Sequence, residues 1–206
     1  MNKNDESKRN YQAELEEIIA SLSKQQNSKR PTLLLHSCCG PCSSYVLEYL
    51  SGYFDITVLY FNPCIFPADE YMHRLEVQKD LIKQMNEVGY AISFVGMPYA
   101  YESFLKLIAG TEKASEGGER CTICFKQRLS MLASKASMDN FDYCCSTLTV
   151  SPYKNAEVIN EIGESLTSKW LPSDFKKKGG YKRSIELSEK YSLYRQDYCG
   201  CEFSMR

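Results

Sequence analysis

Apolar residues recur along this chain in two alternating rhythms. Leu15, Ile18, Ile19 and Leu22 fall at helical spacing, which predicts an amphipathic helix over residues 10–26, closed by the polar run "QQNSKRP". Short apolar runs of strand length follow at Thr32–His36, Asp55–Phe61, Ala91–Val95 and Phe141–Ser146. Between them the period lengthens to that of a helix, over about Cys42–Leu50, Ala68–Val88, Tyr101–Ala109 and Cys121–Ser137, with another helix over Asn155–Ser168. Strands alternating with helices predict parallel βαβ units and a sheet covered on both faces. The expected fold is α/β, doubly wound, with a mostly parallel Rossmann-like sheet in three layers. No internal repeat is visible. Residues 169–206 keep neither rhythm and read as an irregular, basic, aromatic-rich tail. On this pattern residues 1–30 form a helical extension and 31–206 a single α/β domain.

Each predicted strand runs into an unusual loop: "HSCCGPC", "FNPCIFPADEY", "GMPYAYE" and "STLTVSPYK". Ligand sites of open α/β sheets lie beyond the carboxyl ends of the strands, so the unusual chemistry is expected along one edge.

Composition sharpens this in three ways. The N-terminus has no apolar core of a signal peptide, and no run of about 18 apolar residues exists, so a cytoplasmic protein with no membrane partner is expected. A net charge of −1 gives no general attraction for nucleic acid, yet between Lys169 and Arg195 eight Lys or Arg stand against three Asp or Glu. Such a local basic surface binds phosphates even in a neutral chain, although a solvated lysine-rich loop has the same composition. Finally, there are 10 cysteines. Cytosolic thiols stay reduced, which argues against a structural disulfide framework. Single cysteines are commonly packing residues. Seven of the 10, however, cluster as Cys38, Cys39 and Cys42; Cys121 and Cys124; Cys199 and Cys201. Short spacings let one loop present two thiolates to one centre, so the set points to metal.

Cys39-Gly40-Pro41-Cys42 also matches the tetrapeptide of a thioredoxin-like dithiol oxidoreductase, between a strand and a helix whose N-terminus favours a thiolate. That reading lacks the usual preceding Trp and leaves Cys38, Cys121, Cys124, Cys199 and Cys201 unexplained. A zinc-stabilised RNA-binding module needs only four thiolates, and adjacent Cys38 and Cys39 suit a multi-iron cluster better than one tetrahedral ion. An ATP-dependent tRNA-modifying enzyme of similar alternation would need a phosphate loop where the cysteines stand, and no P-loop pattern occurs.

Taken in order, "LLLHSCCGPCSS", "YFNPCIFPADEYMHR", "EGGERCTICFKQRL", "SPYKNAEVI" and "LYRQDYCGCEFS" resemble the QueH epoxyqueuosine reductases, from about Pro31 to the C-terminus. The resemblance implies a doubly wound catalytic domain with a metal-binding C-terminal tail, a 4Fe–4S cluster and an additional mononuclear iron. It also implies reduction of the epoxide of epoxyqueuosine at the wobble position of a tRNA with a GUN anticodon. No dinucleotide glycine fingerprint is present, so electrons are expected from an unidentified donor through metal or thiols.

Within this frame Cys38, Cys39, Cys121 and Cys124 are the expected cluster ligands. Cys199 and Cys201, with Cys42, are left for a redox-active disulfide or the second metal. Asp174 and Glu70 are candidates to ligate iron or supply a proton. Tyr71, Arg74, Tyr153 and Arg195 are candidates to hold the substrate. Lys176, Lys177, Lys178, Lys182 and Arg183 are expected to grip tRNA phosphates, with Tyr181 and Tyr194 as stacking surfaces and Lys24, Lys29 and Arg30 as the alternative face. His36 is expected to be packed rather than ligating, and Cys64, Cys144 and Cys145 to be packing residues, although the loop of Cys64 lies on the functional edge.

Overall fold

The computed structural model describes residues 9–24 and 29–205. The signal-peptide reading of residues 1–8 and the predicted helix end at Gln25 and Gln26 lie outside them.

Four strands, β1 (Thr32–Ser37), β2 (Asp55–Tyr60), β3 (Ser93–Gly96) and β4 (Tyr143–Ser146), form one sheet in the order β3-β2-β1-β4, and every pairing is parallel. Central β1 is buried beyond its first residue, as a parallel strand covered on both faces must be. Its side chains alternate between two cores. Leu33 and Leu35 pack with α1 (Tyr11–Lys24), α2 (Gly40–Leu50) and α3 (Ala68–Glu87), while Leu34 packs with α5 (Glu119–Met138) and α6 (Ala156–Leu166). Helix α4 (Tyr101–Ile108) packs beside α5. The expected doubly wound α/β fold is observed. The chain reverses between β1 and β4, which opens a crevice at their carboxyl ends.

Two strands begin later than their apolar runs, for the same reason. The Asn86 side chain holds both polar groups of Ile92, donating to its carbonyl (3.0 Å) and accepting from its amide (2.9 Å), so β3 pairs only from Ser93. Asp142 and Thr32 bond reciprocally through side chain and backbone, which replaces the first rung between β4 and β1. Helix α1 contributes Leu15 and Ile19 to the same core as Leu33 and Leu35.

The tail is where sequence and structure differ. Residues 169–171 bridge to Cys144 at the edge of β4. A further helix, α7 (Gly180–Lys190), packs on α2. Its buried stripe is Gly180, Ser184, Leu187 and Ser188, too polar to register as a hydrophobic period. Among the described residues no helix is long and apolar enough to cross a membrane.

Candidate metal centre

Three thiols meet where β1 becomes α2. Cys38 follows the last residue of β1, and its amide donates to Thr147 Oγ1 (3.2 Å) just after β4. Cys39 occupies the N-cap of α2, and Gly40-Pro41 opens the helix with a φ preset by proline. Cys42 lies in the first turn. The Sγ atoms of Cys38, Cys39 and Cys42 all fall within 4.8 Å of one another, the single such metal-capable group among the described residues. Hydrogen bonds from Cys39 and then Cys42 hold Cys38 well below the ordinary thiol range. The donors are correspondingly raised, Cys39 to about 11 and Cys42 well above the usual value.

A second thiol pair faces this group, and it is Cys64 with Cys124. Cys64 is packed in a core, as expected, and its loop also brings it to the cleft wall. The Cys124 thiol donates to it and, with help from Arg128, Lys154 and Arg74, brings it down to about 6. Cys121, one turn before Cys124, accepts the Gly117 amide at its thiol (3.2 Å). The loop entering α5 is clasped by Arg120, whose Nη1 donates to the carbonyls of Thr111 (3.2 Å), Glu112 (2.9 Å) and Ala114 (2.6 Å). Cys144 and Cys145 are fully buried, burial alone leads their upward shift, and they do pack in the cores.

The C-terminal Cys-Gly-Cys is pinned to the same edge. Arg74 lies over the Tyr198 ring (4.9 Å), Arg120 over Phe203 (4.8 Å), and Gly200 accepts the Phe66 amide (2.8 Å). Gly200 has φ +102°, and a Cβ there would come 2.9 Å from Arg74 Nη1, so glycine is required between the cysteines. Cys199 lines the cleft, and Cys201 packs with Cys64 and Cys124.

Cys38, Cys42, Cys64 and Cys199 thus share a cleft of about 350 Å³ with Arg74, Arg128 and Lys154. Such a donor set, thiols opposed by cations, fits an anionic metal–sulfur group better than a bare cation. His36 is buried with both ring nitrogens occupied, Nε2–H donating to Phe61 O (3.1 Å) and Nδ1 accepting from Ser146 Oγ (2.8 Å). Burial and the charge of Arg128 depress it to about 4, so it is neutral, and it is packed, as expected from the sequence.

The remaining candidates divide. Arg74 is buried, bonded to Glu70 through Nε (2.6 Å), and its Nη2 has no partner. Arg195 lines the cleft, its Nη1 donating to Ser188 Oγ (3.0 Å), and Tyr153 and Tyr181 line it too, Tyr153 at 81% exposure. Tyr71 is not at the cleft: it is 2% exposed and its hydroxyl donates to Met97 O (2.9 Å). Tyr194 packs against His73 and donates to Glu70 (3.3 Å). Asp174 is absent from the cleft wall as well. It accepts from Lys176 (2.6 Å) in an adjoining hollow that also contains Lys177 and Lys178.

The basic strip is less free than its composition implies. Lys178 pairs with Glu16 (2.6 Å) and Arg183 with Glu48 (2.8 Å) and Glu186 (3.0 Å), leaving Lys177 and Lys182 without an ion pair among the described residues. Lys29 and Arg30 border a hollow beside Asp142 and Tyr143, at the amino ends of the strands and so at the opposite edge from the cysteines. Sequence reasoning missed Arg128 and Lys154. Arg128 stands four residues after Cys124, on the same helix face, and Lys154 directly follows Tyr153; both spacings were legible.

Residues 33–206 match the family model described as epoxyqueuosine reductase QueH. The epoxyqueuosine reductase QueH of Streptococcus pyogenes serotype M1 is 41% identical over 210 residues, covering 100% of this chain and 82% of that protein. That of Staphylococcus epidermidis is 42% identical over 202 residues, covering 95% and 84%. Among solved structures, the U34-tRNA thiolase NcsA from Methanococcus maripaludis with its 4Fe–4S cluster matches more loosely, with a TM-score of 0.48 and 13% identity, covering 94% of this chain and 68% of that one. On its cysteine motifs, its all-parallel fold and its relatives, this chain belongs to the QueH family of epoxyqueuosine reductases.

Proposed function

We propose that this protein reduces the epoxide of epoxyqueuosine, in a tRNA with a GUN anticodon, to the alkene of queuosine. The observation that carries the reading is the cleft in which Cys38 and Cys42 of the three-thiol group, with Cys64 and Cys199, share space with Arg128 and Lys154, in a chain of this family. The reaction breaks two C–O bonds, takes up two electrons and two protons, and releases water. A 4Fe–4S cluster, with an additional mononuclear iron, would supply single electrons and a Lewis acid for the departing oxygen. Cys38, Cys39, Cys121 and Cys124 would hold the cluster. Cys199, Cys201 and Cys42 would either ligate the extra iron or form a redox-active disulfide. An all-parallel sheet with three gathered thiols does not favour the two-thiol exchanger, and the family relation does not favour the zinc module.

The chain's own groups bind and move protons. Lys154, whose pKa the neighbouring cysteines raise against the effect of burial, lies on the cleft wall, where its ammonium can donate to the departing oxygen. Arg195 and the unpartnered Nη2 of Arg74 hold the substrate's oxygens, and Tyr153 and Tyr181 receive the splayed base. Tyr71 anchors α3, the helix it shares with Arg74, by donating to Met97 O, and Asp174 positions Lys176. Lys176, Lys177 and Lys178 take the flanking phosphates. Electrons come from a donor outside the chain, in the cytoplasm. The test is anaerobic reconstitution with iron and sulfide, then reaction with epoxyqueuosine-containing tRNA and dithionite. Nucleoside digests should show queuosine by mass; a fully loaded protein that leaves the epoxide intact overturns the reading.

A further inference from the structure

Arg128 stands apart from the other buried arginines. Arg74 is neutralised by Glu70 at 2.6 Å, and Arg120 is capped by three backbone carbonyls. Arg128 is 3% exposed, yet its Nε donates only to the Cys124 carbonyl of its own helix (3.3 Å), and it packs 5.6 Å from the Phe125 ring. No carboxylate pairs with it among the described residues. The two acids on the cleft wall, Glu116 and Asp197, are exposed to solvent. A buried guanidinium without a counter-charge is costly. The groups that share its surroundings are thiols instead: Cys38, Cys64 and Cys199 line the same cleft.

We infer that Arg128 is the resident counter-charge of the cysteine centre and a positioning residue for electron transfer, raising the reduction potential of the metal–sulfur group held there. The inference rests on the metal reading above. Adding an electron to a thiolate-bound cluster adds negative charge, and a fixed cation in a low-dielectric wall stabilises that added charge. Arginine suits the task because it does not lose its proton. Lys154, half-buried, acts in the same direction under more solvent screening.

The test compares Arg128→Met, Arg128→Gln and Arg128→Lys in the reconstituted holoprotein, by redox titration monitored in the visible and by electron paramagnetic resonance. At the wild-type midpoint, the ratio of reduced to oxidised cluster should fall about tenfold in the Met and Gln variants, a shift of about 59 mV to lower potential for a one-electron couple. The Lys variant should stay near wild type. A loaded Met or Gln variant with an unchanged potential overturns the inference. If neither neutral variant takes up iron and sulfide while the Lys variant does, the charge is required and the inference stands; if all three fail to load, Arg128 is a packing element and the inference falls. A wild-type protein that holds no cluster would instead sink the metal reading itself.

Discussion

Cys124 shows how a single residue serves both packing and chemistry, because its thiol is buried among apolar side chains and hydrogen-bonded to Cys64. Removing a thiolate from a cluster removes a bond to iron. Cys121→Ser and Cys124→Ser proteins, purified anaerobically, should lose their iron–sulfur absorption, whereas Cys144→Ser should keep it; full iron and sulfide in the first two would reject these ligands. Cys199→Ala and Cys201→Ala should stop turnover with most of the iron retained, and loss of all iron in either would move the pair into the ligand set. His36 makes a prediction for the apoprotein. Its folded pKa, about 4, lies below the unfolded value of 6.5, so the unfolded chain binds the proton first as pH falls. The stability contributed by His36 is complete above pH 6.5 and is lost as pH drops to about 4, by roughly 3 kcal/mol. Urea unfolding across that range checks it: a His36→Gln protein should lose this part of the pH dependence, and an identical profile would show that other groups govern it.

At the scale of elements, the site depends on how closely α7 and the tail approach the sheet edge. Helix α7 packs on α2 through Gly180, where a Cβ would meet Phe175 O at 1.9 Å and the Tyr45 ring at 2.4 Å. The first of these is a backbone oxygen, which gives way only if the chain itself moves. Gly180→Ala should therefore destabilise the fold by about 1–3 kcal/mol in thermal or urea unfolding. Gly52→Ala, with nothing within 4 Å of the added carbon, should stay within about 0.5 kcal/mol of wild type. Equal stabilities would mean that α7 is not held against α2. Most elements were legible from periodicity, because long apolar rhythms record the two cores directly. Helix α7 was not, since serines and glycine form its buried face.

For the whole molecule, the cysteine cleft and the lysine-bearing hollow adjoin, and Lys154 lines both. A tRNA whose wobble base enters the cleft would lay neighbouring phosphates across Lys176, Lys177 and Lys178. The pairing of Lys178 with Glu16 does not exclude this, because exposed ion pairs contribute little and exchange readily for phosphate. Neutralising Lys177, Lys178 and Lys182 together should weaken tRNA binding and flatten its salt dependence, by about one unit of slope for each phosphate that is no longer held. Iron content should not change. An anaerobic titration at several salt concentrations measures this, and an unaltered slope would place the RNA on another face.

The α/β alternation, the edge on which the chemistry collects, and the family are all legible in the chain before folding, because each is written in local spacing: strand-length and helix-length rhythms, and cysteines one to three residues apart. The sequence by itself could not decide which thiols meet across elements. Cys64 and Cys124 lie on a loop and a helix far apart in the chain, and only the packing of α5 beside β1 and β2 brings them together. Nor could it separate Arg128 and Lys154 from ordinary surface cations, or show that Asp174 and Tyr71 turn away from the cleft. Burial and charge compensation are sums over neighbours from several elements, so they exist only once the chain has folded.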